Sequence, residues 1–187
     1  MAILGLLHDS SMHGYDLRKQ LKELLGPFRA FSYGSLYPAL RRLETDGLIR
    51  SEDGSPPPSP RSAKAAAAPV GTKRAKRVYE VTPEGRERFI ELVGDTGPRN
   101  YTDDGFGLRL AFFRFTTPEV RMRILEGRRR QVEQRRDTLR ETLAKASAGL
   151  RRYTVQLQQL ALESTEREAG WLNELIAAEI RGESHQS

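Results

Sequence analysis

The chain contains no cysteine, which excludes several kinds of chemistry at once. A disulfide framework, a thiolate metal site and a cysteine nucleophile all require that side chain. The three histidines, His8, His13 and His185, share no metal-ligand spacing, so we expect neither a metal nor a cofactor. The sequence also lacks a glycine-rich phosphate loop and a paired acid–base constellation outside helix surfaces. These absences argue against an enzyme.

Long hydrophobic runs are missing as well. No apolar stretch approaches the roughly 18 residues that a membrane span requires. The amino-terminal segment MAILGLLHDSS has neither the basic leader nor the cleavage site of a signal peptide. We therefore expect a soluble protein of the cytoplasm.

Positive charge is in moderate excess and is concentrated in one segment. The 187 residues include 31 Lys and Arg against 25 Asp and Glu, a net charge of +6. Residues 41–77 alone hold nine basic and four acidic residues. Such a local excess favours a polyanionic partner, whereas the charges of the carboxy-terminal half read equally well as a solvated surface.

Apolar spacing predicts three helices in the first 49 residues. A short helix begins near the first residue, and a second, capped by Ser10 or Ser11, ends at Gly26-Pro27. The third lies in SYGSLYPALRRLETDGLI, residues 32–49, and either Ser32 or Ser35 can cap it. Pro38 then falls in its second or its first turn, so its start is loosely hydrogen-bonded. Leu36, Leu40 and Leu43 share the apolar face of this helix, and Tyr37, Arg41 and Arg42 are expected to lie off that face.

Two short strands and a capped helix follow. Residues 48–52 and 77–81 read as strands, and Thr82-Pro83-Glu84 combines a cap, an N1 proline and an acid in the first turn. Between the strands, residues 53–76 are rich in Pro, Ala, Ser and Lys with almost nothing to bury, so we expect them to be mobile.

The remaining residues are predicted to be helical. An aromatic-rich helix covers residues 106–115, and Thr117-Pro118-Glu119 opens the next helix. An a/d seam with alternating spacings of four and three then runs through Leu139, Leu143, Ala146, Leu150, Tyr153, Leu157 and Leu160. The seam can belong to one long helix or to a hairpin, and the low helix propensity of Ser147 and Gly149 within 147–149 favours a break there.

Three helices followed by a strand, a long tip, a strand and a helix are the order of a winged helix-turn-helix domain. In such domains the third helix presents its amino-terminal turns to the DNA major groove, and the basic wing meets the neighbouring backbone. The predicted DNA-binding residues are Tyr15, Ser32, Tyr33, Gly34, Ser35, Tyr37, Pro38, Arg41, Arg42, Lys73, Arg74, Lys76 and Arg77. The tyrosines are alternatively core aromatics, and the two helix arginines are alternatively ordinary solvated side chains.

The motifs AILGLL, HGYDL at 13–17, SYGSLYPALRRLETDGLI and YEVTPEG at 79–85 occur in an order that resembles the PadR family of bacterial transcriptional regulators. The carboxy-terminal half is similar to the branch of that family with a longer helical dimerisation domain. The resemblance implies a homodimeric repressor that binds a palindromic operator and is released by a small molecule, for which an aromatic compound is one candidate. An alternative is a winged-helix module whose basic wing binds an acidic protein.

The predicted architecture is mainly α with a small two-stranded β wing, in two domains. Residues 1–95 form the winged helix-turn-helix domain with the tip at 53–76, 96–102 a linker, 103–182 the helical dimerisation domain and 183–187 a disordered tail. The dimer seam comprises Leu139, Leu143, Leu150, Tyr153, Leu157 and Leu160. The phenylalanines at 106–115 are read first as core. An effector pocket is the second interpretation, lined by Phe112, Phe113, Trp171, Arg109 and Arg114.

Overall fold

The computed structural model of the chain describes residues 1–25, 33–51, 77–145 and 152–182. The chain divides into two compact units, Met1–Gly94 with Gly107–Phe115, and Asp95–Phe106 with Thr116–Ser187. The segment 107–115 thus groups with the first unit, whereas the sequence assigned it to the helical domain. The predicted tip at 53–76, tail at 183–187 and helix break at 147–149 lie outside the described residues. In the described part of the chain, no helix combines the length and apolarity of a membrane span.

Four helices and a sheet build the first unit. The helices are α1 (Ala2–Asp9), α2 (Gly14–Leu25), α3 (Tyr33–Thr45) and α4 (Pro83–Gly94). One apolar face of each helix enters a common core, in which Leu17, Leu21, Leu36, Leu40 and Phe89 are at most 1% exposed. The close approach of α1 to this core depends on Gly5, because a Cβ there would collide with the Phe112 ring.

The sheet has three antiparallel strands rather than the predicted two. Strands β2 (Ile49–Ser51) and β3 (Val78–Val81) pair as expected, with Ile49 opposite Val81. The added strand β1 (Met12–His13) pairs with the other edge of β3, where Met12 lies opposite Tyr79. Because residues 12–13 are extended, α2 begins at Gly14, and the expectation that Ser10 or Ser11 caps it was wrong.

Local sequence signals correctly predicted one end of each of two helices, α3 and α4. Gly47 follows α3 with φ of 70°, a left-handed conformation that glycine adopts without strain. At the start of α4, the Thr82 hydroxyl accepts a hydrogen bond from the Gly85 N–H at 3.1 Å and donates one to the Gly47 carbonyl at 2.7 Å. The predicted cap at Thr82 therefore also joins the end of α3 to the start of α4.

The aromatic segment 106–115 is not one helix, contrary to the prediction. Helix α5 (Asp103–Leu110) ends early, and Phe113–Phe115 form a 3₁₀ turn, called here the 113–115 turn. Two successive backbone hydrogen bonds here span three residues. The Phe112 N–H donates to the Arg109 carbonyl, and the Phe115 N–H closes the turn by donating to the Phe112 carbonyl. Residues three apart lie on one side of such a turn, which lets Phe112 and Phe115 both pack against Phe89.

A helical hairpin dominates the second unit. Helices α6 (Pro118–Lys145) and α7 (Arg152–Arg181) pack against each other, and Arg121 pairs with Glu179 while Arg140 pairs with Glu166, so the helices run antiparallel. The α7 residues that are buried are Leu162, Thr165, Ala169, Leu172 and Ile176. Their spacings of three and four place them on one face of α7, which packs against the rest of the chain. This face is not the one that carries Tyr153, Leu157 and Leu160 of the predicted dimer seam.

Residues 96–102, predicted as a linker, are structured. Pro98–Tyr101 form a 3₁₀ helix that packs against α6, and Asn100 is buried. The Arg128 side chain, 5% exposed, holds this region by donating Nη1 to the Tyr101 carbonyl at 2.8 Å while it pairs with Asp103 at 2.7 Å. Arg128 pairs with Glu168 of α7 as well, at 2.5 Å.

Candidate nucleic-acid interface

Helix α3 separates a buried side from an exposed one within its first turns. Leu36 and Leu40 are each 1% exposed, while Ser35 and Pro38 lie in solvent. Pro38 lies inside the helix and has no N–H to donate, as the sequence predicted for a loosely bonded start. The helix begins at Tyr33, so Tyr33 and Gly34 belong to its first turn, and Ser32 lies outside the described residues. The first turns of α3 thus combine an anchored apolar side with small exposed residues.

The sequence predicted that Tyr37 points away from the core, and this prediction was wrong. Its side chain is half-buried and packs against the hydrophobic core of the first unit. Tyr37 also contributes to the environment of Tyr79 on β3, whose pKa is raised by burial first and then by Glu44, with Tyr37 adding to the rise. A helix position beside two core leucines lies at the edge of the apolar face, where a ring can be covered and its hydroxyl solvated.

The arginines of α3 differ from each other in exposure. Arg42 is exposed, whereas Arg41 is half-buried. The Arg41 carbonyl accepts a hydrogen bond from the Thr45 hydroxyl at 2.9 Å in the last turn. Arg42 is therefore the more accessible of the two cations.

Helix α2 carries a basic face that the sequence reasoning did not include. A depression of about 480 Å³ is lined by Tyr15, Arg18, Lys19, Lys22 and Glu23, which share one side of the helix. Tyr15 is 63% exposed, and the three cations lie in solvent beside it. These charged residues follow Tyr15 by three, four, seven and eight positions, which places them on one side of a helix. The sequence therefore carried a signal for this face, but the prediction of the helix considered only its apolar positions. We call these residues the α2 basic face.

The wing contributes few described residues. Lys73, Arg74 and Lys76 lie outside the described part of the chain. Arg77, the residue before β3, is half-buried, and its carbonyl accepts a hydrogen bond from the Gly14 N–H at 3.2 Å. The Arg77 side chain hydrogen-bonds Tyr79, which opposes the rise in the Tyr79 pKa. Arg77 thus has a structural partner inside the first unit.

The residues predicted for an effector pocket belong to both units. Phe112 is 2% exposed and edge-on to Phe89, Arg109 is 4% exposed, and Phe113 is half-buried, all in the first unit. Arg114 pairs with Asp9 on α1. Trp171 is 40% exposed and belongs to the second unit, where it packs edge-on against Phe106. Neither unit by itself brings these five residues together.

The predicted dimer seam divides into a half-buried part and an exposed part. Leu139 and Leu143 on α6 are half-buried, whereas Tyr153, Leu157 and Leu160 on α7 are 80%, 67% and 57% exposed. Leu150 lies outside the described residues. The α7 residues form a line of exposed apolar side chains, called here the α7 stripe, on a helix that uses another face for its own chain.

Comparisons with known proteins match the amino-terminal half of the chain. A family model described as "Transcriptional regulator PadR-like family" matches residues 3–91. A Mycobacterium tuberculosis protein named "Transcriptional regulator Rv3488" is 37% identical over 91 residues, which cover 47% of this chain and 68% of that protein. The chain belongs to the PadR-like family. The matched residues 3–91 are a transcriptional-regulator domain of this family, and the family resemblance drawn from the four sequence motifs is confirmed.

Proteins named PadR are also similar to the chain, at lower sequence identity. The "Negative transcriptional regulator PadR" of Bacillus subtilis is 29% identical over 92 residues, which are 49% of this chain but only 43% of that protein. Crystal structures of Bacillus subtilis PadR in complex with operator DNA and with p-coumaric acid are 23% and 22% identical. Each has a TM-score of 0.41 and covers 95% of this PadR-like chain, and the alignments span 97% and 96% of those chains.

Proposed function

We propose that this PadR-like regulator is a homodimeric repressor that binds a palindromic operator in the cytoplasm and is released by a small-molecule effector. One observation carries the proposal. A single compact unit contains both α3, whose first turns expose small side chains, and the α2 basic face. In helix-turn-helix proteins the first helix of the motif crosses the DNA backbone while the second enters the major groove.

The side chains fit these two tasks. Arg18, Lys19 and Lys22 are cations that phosphates attract regardless of sequence, and Tyr15 adds a hydroxyl beside them. The exposed Ser35 and the accessible Arg42 of α3 offer groups of the kind that read base edges or fix the register. Lys73, Arg74 and Lys76 of the wing remain predicted backbone contacts.

The α7 stripe supports a second copy of the chain as the partner. Tyr153, Leu157 and Leu160 repeat at four and three residues, which is the spacing of a helix that packs against another helix. A line of large apolar side chains more than half exposed is costly to leave in water. A dimer also matches a palindromic operator, because the two-fold symmetry of the protein is mirrored in the two half-sites.

The repressor role and the effector are argued from relatives and from composition. The Bacillus subtilis relative is named a negative regulator. Among the predicted effector residues, the Arg114 side chain is 61% exposed and Trp171 is 40% exposed, so both have surface to offer a ligand. The exposed Arg114 guanidinium suits the carboxylate of an aromatic acid.

Binding to the DNA upstream of the regulator's own gene tests the proposal. Fluorescence anisotropy with a labelled upstream fragment should give an affinity at least a thousandfold tighter than a scrambled fragment at the same salt concentration, the lower end for specific regulators. A panel of aromatic carboxylic acids should then include one that weakens binding to the upstream fragment. Equal affinity for both fragments, with strong salt dependence, would instead indicate a module that binds any polyanion, such as an acidic protein.

A further inference from the structure

The end of α1 carries a histidine that is packed within an aromatic cluster. The centroid of the His8 ring lies 5.2 Å from that of Phe89 on α4 and 4.9 Å from that of Phe115 in the 113–115 turn. The two phenyl rings are themselves 5.1 Å apart and edge-on. The three rings therefore contact one another, and His8 is an α1 side chain whose ring packs against both this turn and α4. Neither DNA binding nor dimerisation, as proposed above, uses His8.

Charged groups on each neighbouring element surround the imidazole. Arg86 of α4 donates its Nη1 to the His8 carbonyl at 2.9 Å. Arg114 of the 113–115 turn pairs with Asp9 of α1, and its guanidinium lies over the Phe115 ring at 4.6 Å. The imidazole thus faces two guanidinium groups and one carboxylate, and that carboxylate is already engaged by Arg114.

The electrostatics disfavour a proton on His8. Burial is the largest influence that lowers its pKa from the usual 6.5, Arg86 lowers it further, Asp9 raises it, and Arg114 lowers it again. Attraction between an imidazolium and the faces of the phenyl rings opposes these effects. It does not outweigh them, because a proton would add a third positive charge to a partly desolvated site that holds one carboxylate.

We propose that His8 is a pH-sensitive latch: its neutral ring holds the 113–115 turn on α1 and α4, and its protonation releases the turn. The turn ends three residues before Pro118, where α6 begins, so its release frees the segment of chain that leads into the helical hairpin. Acid would in this way loosen the attachment of the 113–115 turn to α1 and α4 without unfolding the rest of the core.

The direction of the pH dependence follows from the lowered pKa. The released turn exposes His8, which then titrates near 6.5 and takes up a proton more readily than the packed form. The attachment is therefore complete above neutral pH and is lost progressively as the pH falls through 6.5 towards the lower value of the packed histidine.

Hydrogen exchange of the full chain at pH 7.5 and pH 5.5 tests the latch, after correction for the intrinsic exchange rates. The amide of Phe115, which closes the turn on the Phe112 carbonyl, should lose about threefold or more in protection at the lower pH, as linkage to a single histidine allows. A His8→Phe variant retains an aromatic ring without a titrating group, so its protection should not change with pH. His13→Gln alters an exposed histidine on β1 and should behave as the wild type does.

The titration of the His8 ring gives an independent measurement should His8→Phe fail to fold. The NMR signal of His8 in the wild type, assigned by comparison with His8→Gln, should titrate below 6.5. A His8 that titrates at or above 6.5, or protection of the turn that falls equally in wild type and His8→Phe, would overturn the proposal.

Discussion

Arg121, near the start of α6, donates its Nε to Glu179, near the end of α7, at 2.8 Å, and both side chains are more than nine-tenths buried. The Arg121 Nη1 also donates to the Thr116 carbonyl at 2.7 Å. This pair fixes the open ends of the hairpin to each other. A buried ion pair is maintained by mutual attraction and hydrogen bonds, and neither partner is tolerated alone.

Glu179→Leu should therefore lower the free energy of unfolding by about 3–5 kcal/mol, because it leaves a buried guanidinium without its carboxylate. The double variant Arg121→Met/Glu179→Leu should recover much of this loss by replacing both charges with apolar groups. Urea unfolding followed by circular dichroism measures both effects. Glu166→Ala provides the control, since it removes an exposed pair with Arg140 that should contribute about 0–1 kcal/mol. Equal losses for Glu179→Leu and Glu166→Ala would contradict the structural role of the buried pair.

Gly5→Ala should destabilise the first unit by about 1–3 kcal/mol, because its methyl group would collide with the Phe112 ring. Gly170 has no atom within 4 Å of an added Cβ and lies within α7, so Gly170→Ala should stabilise the protein by about 0.5–1 kcal/mol. The two thermal midpoints should move in opposite directions. Gly5→Ala with an unchanged midpoint would show that α1 does not approach Phe112 as closely as described.

Tyr37 is among the predicted DNA-binding residues, and its hydroxyl is the group expected to bond a phosphate. Tyr37→Phe should therefore weaken operator binding by one to two orders of magnitude, since a hydrogen bond to a charged phosphate contributes about 1.5–3 kcal/mol. Its unfolding midpoint should be nearly unchanged, because the half-buried ring is retained. Leu40→Ala should have the opposite profile, with about 2–5 kcal/mol of stability lost to a cavity at a side chain that is 1% exposed. Operator affinity that survives Tyr37→Phe would mean that this tyrosine serves packing only.

Leu157→Glu should convert a dimer into a monomer, because it introduces a charge into the middle of the α7 stripe. Light scattering coupled to size-exclusion chromatography at micromolar concentration measures the mass directly. Ile90→Glu is the matched control, a charge at another exposed apolar position, on α4 of the first unit. A wild-type chain that elutes as a monomer would refute dimerisation, and a dimer that survives Leu157→Glu would place the interface elsewhere.

Short, local signals in the sequence predicted the framework well. Thr82 before Pro83, and Gly47 after α3, define helix ends through hydrogen bonds and backbone angles within a few residues, so they are readable without tertiary contacts. The two-residue strand β1 has no periodicity of its own. It exists because β3 offers a free edge to Met12 and His13, and only the folded chain shows this.

Burial of polar residues was beyond the reach of the sequence. Periodicity found apolar residues on α7 but could not tell which face packs against α6, and the buried face includes Thr165 and Ala169. Arg121 and Arg128 looked like surface residues and are buried because carboxylates on α7 meet them. The α2 basic face was missed because its residues are exposed, and exposed charges on a helix usually only interact with water.

The most direct test of DNA recognition by this regulator is the salt dependence of operator binding when the α2 basic face is neutralised. The variant Arg18→Gln/Lys19→Gln/Lys22→Gln retains good helix formers, and the control Arg123→Gln/Arg130→Gln/Lys145→Gln removes equal charge from exposed positions on α6. If all three α2 cations neutralise phosphates, the slope of log K against log salt should flatten by about 2.7 in the first variant, about 0.9 for each contact. The control should keep the wild-type slope. An unchanged slope in the α2 variant, or an equal change in both, would contradict the proposal that this face binds the DNA backbone.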